Sequence, residues 1–269
     1  MQPFQLLSVF CRSPREFFDR VAMIAEVRRE NARKGRPAYP ALDEREGLAA
    51  VGNAIGIQLG PFLKESSLLE IEAKLEEGRA RTPSGAPFRT THNGDPMLGR
   101  VCYLVVRALR PAVVIETGVC YGVTSSYLLQ ALSVNGRGRL HSIDLPPLGR
   151  NGDKFVGFLV PQELRASWSL YRGTSRRLLP EILTKVGKAD LFIHDSLHTG
   201  NNMRREFETV WPALRPGGLL IADDIHRNSA FLEMQKHSEV TSSVVLKERD
   251  KLSHLGIVVK RQAGATSVQ

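Results

Sequence analysis

The stretch "VVIETGVCYGVTSSYLL", residues 113–129, decides how the rest of the chain can fold. It begins with a β-branched run that ends at Glu116, passes through a turn flanked by Gly118 and Gly122, and continues as a helical pattern. Glycine lets the backbone approach a ligand closely, and a helix N-terminus offers N–H groups to an anion. The turn departs from the G-x-G-x-x-G fingerprint because Cys120 occupies the second glycine position. The stretch therefore predicts a strand, a tight turn and a helix.

Strand and helix patterns alternate beyond this turn. The other strands of the alternating region are predicted at 139–144, 167–173, 189–195 and 217–224. The helices are predicted at 122–133, 175–186 and 201–213. Two final runs, 241–248 and 254–260, are close enough together for an antiparallel hairpin. The order predicts an α/β fold with a doubly wound, mainly parallel seven-stranded sheet and helices on both faces.

The region before the alternating pattern reads as a helical extension. Ser13, Pro14 and Glu16 form a capping pattern for a helix over 13–31, and a second helix is predicted over about 66–80. Glycine and proline punctuate 35–47, and turn-forming residues fill 81–96. We expect an N-terminal helical extension and connector over 1–94 and the main domain over 95–269, where Asp95 caps the first helix.

Composition limits the class of protein. The 269 residues are 42% hydrophobic and 24% charged, with a net charge of +9, which favours acidic or anionic partners. The densest basic run, 28–36, reads as a solvated helix face, because no nucleic-acid-binding module accompanies it. Three cysteines without paired spacing and the lack of a long uncharged apolar segment predict a soluble, cytoplasmic protein that does not enter membranes.

Acidic residues follow the predicted strands at four of five ends: Glu116, Asp144, Asp195 and the pair Asp223-Asp224. Ligands of such sheets bind outside the carboxyl ends of the strands, so these acids predict a shared site. The carboxylates of Asp195, Asp223 and Asp224 would repel one another without a cation, and oxygen ligands favour Mg²⁺ or a similar divalent ion. His198, three residues after Asp195, is then placed to accept a proton as a neutral imidazole.

These features together resemble a known family. The glycine turn after the first strand, the acid after the second, the segment "DSLHTGNNMRREFETVWPALRPGGLLIADDI" at 195–225 and the last hairpin resemble class I S-adenosylmethionine-dependent methyltransferases. Within that superfamily the chain is most similar to metal-dependent O-methyltransferases of the catechol and caffeoyl-CoA type and to the macrolide and aminocoumarin sugar O-methyltransferases. The resemblance covers about residues 95–260.

The resemblance implies a role for each strand end. It implies that Gly118, Tyr121 and Gly122 back the methionine part of S-adenosylmethionine, that Thr124 meets its carboxylate and that Glu116 faces its amino group. Asp144 would take the ribose hydroxyls, and Thr174 and Ser175 would lie beside the adenine. Asp195, Asp223 and Asp224 would hold the metal, and His198 would be the general base, with His226 as an alternative base.

The implied substrate is a small molecule with a sugar, polyol or phenol hydroxyl, and the implied activity fits natural-product biosynthesis. Relatives often self-associate, so a homo-oligomer is one option. One alternative is an NAD-type oxidoreductase, but this sequence lacks the G-x-G-x-x-G turn expected of that class. A second is a nucleic-acid methyltransferase, which the net charge of +9 suggests. A third is a non-catalytic relative. An aromatic content of 7% argues against a single-strand channel.

Overall fold

A computed structural model describes residues 3–32, 35–88, 96–149, 151–247 and 253–262. Its sheet has seven strands in the order β3-β2-β1-β4-β5-β7-β6. The strands are β1 (Val113–Thr117), β2 (Arg139–Asp144), β3 (Trp168–Arg172), β4 (Ala189–His194), β5 (Leu214–Ala222), β6 (Val240–Lys247) and β7 (His254–Lys260). β1 to β5 pair in parallel, and β7 is antiparallel to β5 and to β6. The predicted fold class, including the antiparallel last hairpin, is confirmed.

Four helices cover one face of the sheet: α3 (Glu44–Ile55), α4 (Ser66–Ala80), α5 (Pro96–Leu109) and α6 (Val123–Asn135). α5 buries nine of its residues because apolar side chains surround most of the helix. Leu68, Ile71 and Leu75 of α4 join the same core as α5 and α6. The N-terminal part of the chain therefore supplies a share of the core on this face.

The opposite face is covered by α8 (Ser175–Val186), α9 (Gly200–Val210) and α10 (Ala230–Gln235). Thr199 caps α9 by accepting a hydrogen bond from the Asn202 N–H at 3.3 Å. Phe231 of α10 is fully buried and lies over Gly256 of β7, where a side chain would overlap the ring. The cap at Thr199 fixes the start of α9, six residues after β4 ends at His194.

The N-terminal segment begins with α1 (Pro3–Arg12) and α2 (Pro14–Asn31), and a short α7 (Gly152–Phe155) follows β2. The predicted cap of α2 is confirmed, since the Glu16 N–H donates to Ser13 Oγ at 3.3 Å. The sequence patterns did not indicate α1 or α3, and α3 starts inside the glycine- and proline-rich stretch. Asp95 and the predicted domain boundary at 94/95 lie outside the described residues, so both stay predictions.

None of the described helices combines the length and apolar character needed to cross a membrane.

Glu65, at the start of α4, ties the N-terminal part of the chain to α5. Its carboxylate accepts two hydrogen bonds from Arg107, both at 2.7 Å, and a third from the Tyr103 hydroxyl at 2.5 Å. The Arg107 hydrogen bonds, together with that of Tyr103, hold the pKa of Glu65 below its ordinary value of 4.5 against the opposing effect of burial. A carboxylate with a depressed pKa stabilises the fold above its unfolded pKa and loses that contribution as the pH falls.

We expect Arg107→Met to lower the free energy of unfolding by about 1–3 kcal/mol at pH 7, because it leaves a partly buried carboxylate without its cation. Denaturant titration at a series of pH values measures the effect. The gap between variant and parent should be constant above about pH 5 and shrink as the pH falls below 4.5. A gap that does not change down to pH 3 would show that packing, rather than the ion pair, supplies the stability.

Candidate functional site

A cavity of about 850 Å³ lies at the carboxyl ends of the parallel strands. Its lining includes strand-end residues from five strands: Gly118, Asp144, Thr174, Asp195 and Asp223. This is the edge of the sheet at which doubly wound folds bind ligands. The structure therefore brings these five predicted residues together at one cavity.

Gly118 allows the ends of β1 and β4 to meet. Its φ of +87° is a conformation that favours glycine, and a Cβ added there would lie 1.9 Å from the carbonyl oxygen of Asp195. Just before it, the carbonyl of Thr117 accepts a hydrogen bond from the Asp195 N–H at 2.8 Å. The glycine turn and Asp195 are consequently held in fixed positions relative to each other.

Asp144 closes the turn from the end of β2. Its Oδ2 accepts hydrogen bonds from the Val119 and Cys120 N–H groups at 2.8 and 2.9 Å. Burial raises the pKa of Asp144, and these two backbone hydrogen bonds oppose that rise. Among the described residues no hydrogen bond is made to Oδ1, so this oxygen is available to a ligand in the cavity.

Four predicted cofactor residues support the turn from behind and are not among the residues that line the cavity. Glu116 is fully buried, its Oε2 accepts hydrogen bonds from Ser125 and Ser142 at 2.7 and 2.6 Å, and burial raises its pKa to about 7. The Tyr121 hydroxyl donates to a backbone carbonyl at 3.0 Å. Gly122 packs against residues 157–160, and Thr124 is buried in the first turn of α6. Their predicted contacts with a cofactor stay predictions.

An acid and imidazole cluster occupies the other side of the Gly118 turn. Asp195, His198 and Asp223 each offer one ligand atom, and these atoms lie within 4.8 Å of one another. Asp223 Oδ1 is buried and accepts no hydrogen bond from the described residues. The cluster thus contains two carboxylates and one imidazole, and one of its carboxylate oxygens is buried without a donor. Such a donor set suits a divalent cation.

Asp224 stands at the rim of this cluster. Its Oδ2 lies 3.7 Å from His198 Nε2 and 2.7 Å from the Arg227 guanidinium, and its Oδ1 accepts a hydrogen bond from Ser253 at 2.5 Å. His226 is 3.9 Å from the same carboxylate. Asp224 is therefore close enough to join the cluster but is already paired with groups of the protein.

His198 directs its Nε2 toward two of the acids. Its Nε2 lies 3.8 Å from Asp195 and 3.7 Å from Asp224. Burial, reinforced by the neighbouring His194, lowers the pKa of His198 to about 4. The imidazole is therefore neutral near pH 7 and can accept a proton or bind a cation.

His194 is a packed core histidine and is not among the residues that line the cavity. Its Nδ1 lies 2.7 Å from Glu206, whose carboxylate also accepts hydrogen bonds from Thr117, Ser196 and Asn202. Burial alone would raise the pKa of Glu206, but His194, with Ser175 and Thr117, lowers it to about 2. The network fixes the loop that carries His198.

The sequence patterns missed one wall of the cavity. Asp19, Ala22, Met23 and Glu26 of α2 line it, together with Phe88. The signal in the sequence was the placement of three acids, Glu16, Asp19 and Glu26, along one helix, and each of them has a partner more than 150 residues away in the chain.

Residues 115–225 match the family model described as "Methyltransferase domain". This segment of the chain is similar to methyltransferase domains. The match begins in β1 and ends just after Asp224, so it contains the glycine turn and the acid and imidazole cluster. The resemblance to class I S-adenosylmethionine-dependent methyltransferases, and with it the prediction of an enzyme of this class, is confirmed.

Solved structures share the fold of this chain. The SAH-bound methyltransferase PaMTH1 of Podospora anserina is 11% identical at a TM-score of 0.53, with 84% of this chain and 100% of that chain covered. The O-methyltransferase TomG of Streptomyces achromogenes, solved with SAM, is 17% identical at 0.51, with 74% and 91% covered. A candidate caffeoyl-CoA O-methyltransferase of Staphylococcus aureus is 15% identical at 0.51, with 71% and 91% covered. No curated protein sequence matches the chain.

We expect Gly118→Ala to destabilise the protein by at least about 2 kcal/mol, because the new methyl group overlaps the Asp195 backbone. The matched control is Gly136→Ala, which has a φ of +64° but no heavy atom within 4 Å of the added Cβ. The control should cost only the backbone strain of about 1 kcal/mol. Thermal unfolding of both variants measures the difference, and equal losses would contradict the close approach.

Proposed function

We propose that this chain transfers the methyl group of S-adenosylmethionine to a hydroxyl of a small molecule, with the assistance of a divalent cation such as Mg²⁺. One observation carries the proposal. The glycine turn with Asp144 and the cluster of Asp195, His198 and Asp223 open into the same cavity. A methyl donor and an oxygen acceptor must meet in one space, because the enzyme's main contribution to such a transfer is to position the two reactants.

The donor half of the cavity is assigned to Gly118, Asp144, Thr174 and Ser175. Gly118 leaves room for the backbone to approach the methionine part, and Asp144 offers Oδ1 to the ribose diol. Thr174 and Ser175 lie at the end of β3, where the adenine is expected. Glu116, Tyr121, Gly122 and Thr124 are proposed to act by holding the turn in place.

The cation half is assigned to Asp195 and Asp223, with Asp224 as a third carboxylate. The buried, unpartnered Oδ1 of Asp223 supports this assignment, since a carboxylate oxygen in such a place is unfavourable without a cation or a donor. A bound divalent cation would neutralise the carboxylates and favour the ionised form of an acceptor hydroxyl.

His198 is proposed as the general base. Its ring is neutral and its Nε2 points toward the acids, so it can take the acceptor's proton. The acceptor oxygen then forms a bond to the methyl carbon as the bond from that carbon to sulfur breaks, which leaves S-adenosylhomocysteine and a protonated His198.

A small-molecule acceptor is favoured over nucleic acid. Of the neighbours described above, TomG is involved in tomaymycin synthesis and the Staphylococcus aureus protein is a candidate caffeoyl-CoA O-methyltransferase. The cavity is a concave site of the size that small ligands occupy. We propose a sugar, polyol or phenol hydroxyl as the methyl acceptor.

We also propose a cytoplasmic location, since three free cysteines are consistent with a reducing compartment.

The cation assignment predicts that Asp195→Asn and Asp223→Asn each weaken binding of Mn²⁺ at least about tenfold, since each removes a charged oxygen ligand. Electron paramagnetic resonance of free Mn²⁺ measures this without any acceptor. The control, Glu70→Gln, removes one exposed acid on α4 and should bind Mn²⁺ as the parent does.

The same measurement on His198→Ala separates two roles for His198. If His198 is only a base, the variant should keep its Mn²⁺ affinity within about twofold of the parent. If His198 is a third ligand, which its closeness to Asp195 and Asp223 also permits, the affinity should fall about tenfold or more. The second result would make His198 a cation ligand, and the general base would then have to be another residue, such as His226.

We expect His198→Ala to reduce methyl transfer by about 10²- to 10⁴-fold while its affinity for S-adenosylmethionine stays within about twofold of the parent. Transfer of radiolabelled methyl to a panel of phenols and sugar glycosides, with and without EDTA, gives the rates, and calorimetry gives the affinity. Loss of transfer with EDTA supports the cation. Transfer by the variant at the parent rate would refute the base, and a parent that does not bind S-adenosylmethionine would refute the proposed function.

A further inference from the structure

α2 is held across the carboxyl ends of the strands by polar contacts at both of its ends. Near its start, the buried Arg20 donates to the carbonyl of Pro146 at 2.8 Å, and Glu16 pairs with Arg172 at 2.6 Å. Near its end, Glu26 pairs with Arg205 at 3.2 Å, and Glu30 accepts the N–H of Gly200 at 3.1 Å. Between these contacts the helix passes over the cavity.

The face of α2 between the two sets of contacts belongs to the cavity wall. Asp19, Ala22, Met23 and Glu26 line the cavity, although α2 lies outside the residues that match the methyltransferase model. Asp19 is at the end of the cavity near β3, because Thr174 donates to its Oδ2 at 3.2 Å. Glu26 is at the end near β4, where it accepts from Thr199.

Asp19 has an oxygen to offer to a ligand. Both of its described contacts, with Thr174 and at 3.8 Å with Arg177, are made by Oδ2. Its side chain is 24% exposed and borders the cavity, so Oδ1 can be reached from inside. An ionised carboxylate only accepts hydrogen bonds, so its ligand must present an N–H or O–H group.

On the basis of the proposed function, we infer that α2 completes the binding site for the purine base of the donor, with Asp19 as the acceptor of the adenine 6-amino group and Met23 as an apolar cover for the ring. Asp144 has only one free oxygen, which the ribose occupies under the proposed function, and Thr174 already donates its hydroxyl to Asp19. Asp19 is therefore the carboxylate at this end that remains for the base. The methionine side chain is flexible and apolar, which suits contact with a flat ring.

The test compares S-adenosylhomocysteine with S-inosylhomocysteine, in which a carbonyl oxygen replaces the 6-amino group. The parent should bind the adenosine compound at least about tenfold more tightly, because the inosine oxygen would face a carboxylate. In Asp19→Asn this preference should fall to about twofold or less, since the amide can donate to the oxygen. Calorimetry on the full chain measures both affinities, and their ratio is insensitive to a general loss of stability.

Two further variants separate base recognition from general effects. Met23→Ala should weaken both compounds together, by about threefold to tenfold, and keep the preference for adenosine. Glu70→Gln, the charge-matched control on α4, should change neither affinity. A parent that binds both compounds equally, or an Asp19→Asn variant that keeps the full preference, would overturn the inference while the proposed function stands. A parent that binds neither compound would overturn both.

Discussion

The approach of Gly118 to the backbone of Asp195 is the constraint on which the rest of the site depends. A side chain at residue 118 would lie within 1.9 Å of the Asp195 carbonyl oxygen, so only glycine permits this separation of β1 and β4 at their ends. The same approach sets the distance between the proposed donor turn and the first proposed cation ligand. A requirement of sheet packing therefore also sets where the two reactants would meet under the proposed function, so Gly118 matters for both the fold and the proposed chemistry.

Several acids at the strand ends have to stabilise the fold before they can serve a ligand. Asp144 uses one oxygen on the backbone of the Gly118 turn, Glu116 is sealed beneath it, and Asp224 is paired with Arg227 and Ser253. Glu116 Oε1 and Asp223 Oδ1 both lack a donor among the described residues, but of these two residues only Asp223 lines the cavity. Counting acids at a sheet edge therefore overestimates the number that can reach a ligand, and the hydrogen bonds decide which ones remain.

The sheet and the strand-end acids could be predicted from sequence because both are local signals. β-branched runs with turn residues between them located each parallel strand to within three residues, and the acids follow these runs directly. α3 was missed because it starts at Glu44, inside a stretch whose glycines and prolines indicated a loop. β5 starts at Leu214, earlier than predicted, because a strand can pass through Pro216 at a position where its ladder hydrogen bond is not required.

The place of α2 could not be predicted, because nothing in its own sequence identifies its partners. Its acids look like those of a solvated helix face, and only one of its residues, Arg20, is buried. The contacts that fix it join residues 16–30 to residues 146–205, and they use carboxylates and guanidinium groups rather than an apolar stripe. Polar contacts of this kind contribute little to stability when exposed to water, but they are specific in geometry. A helix held in this way can be positioned accurately over a cavity without joining the core, which is the property that a ligand-binding wall requires.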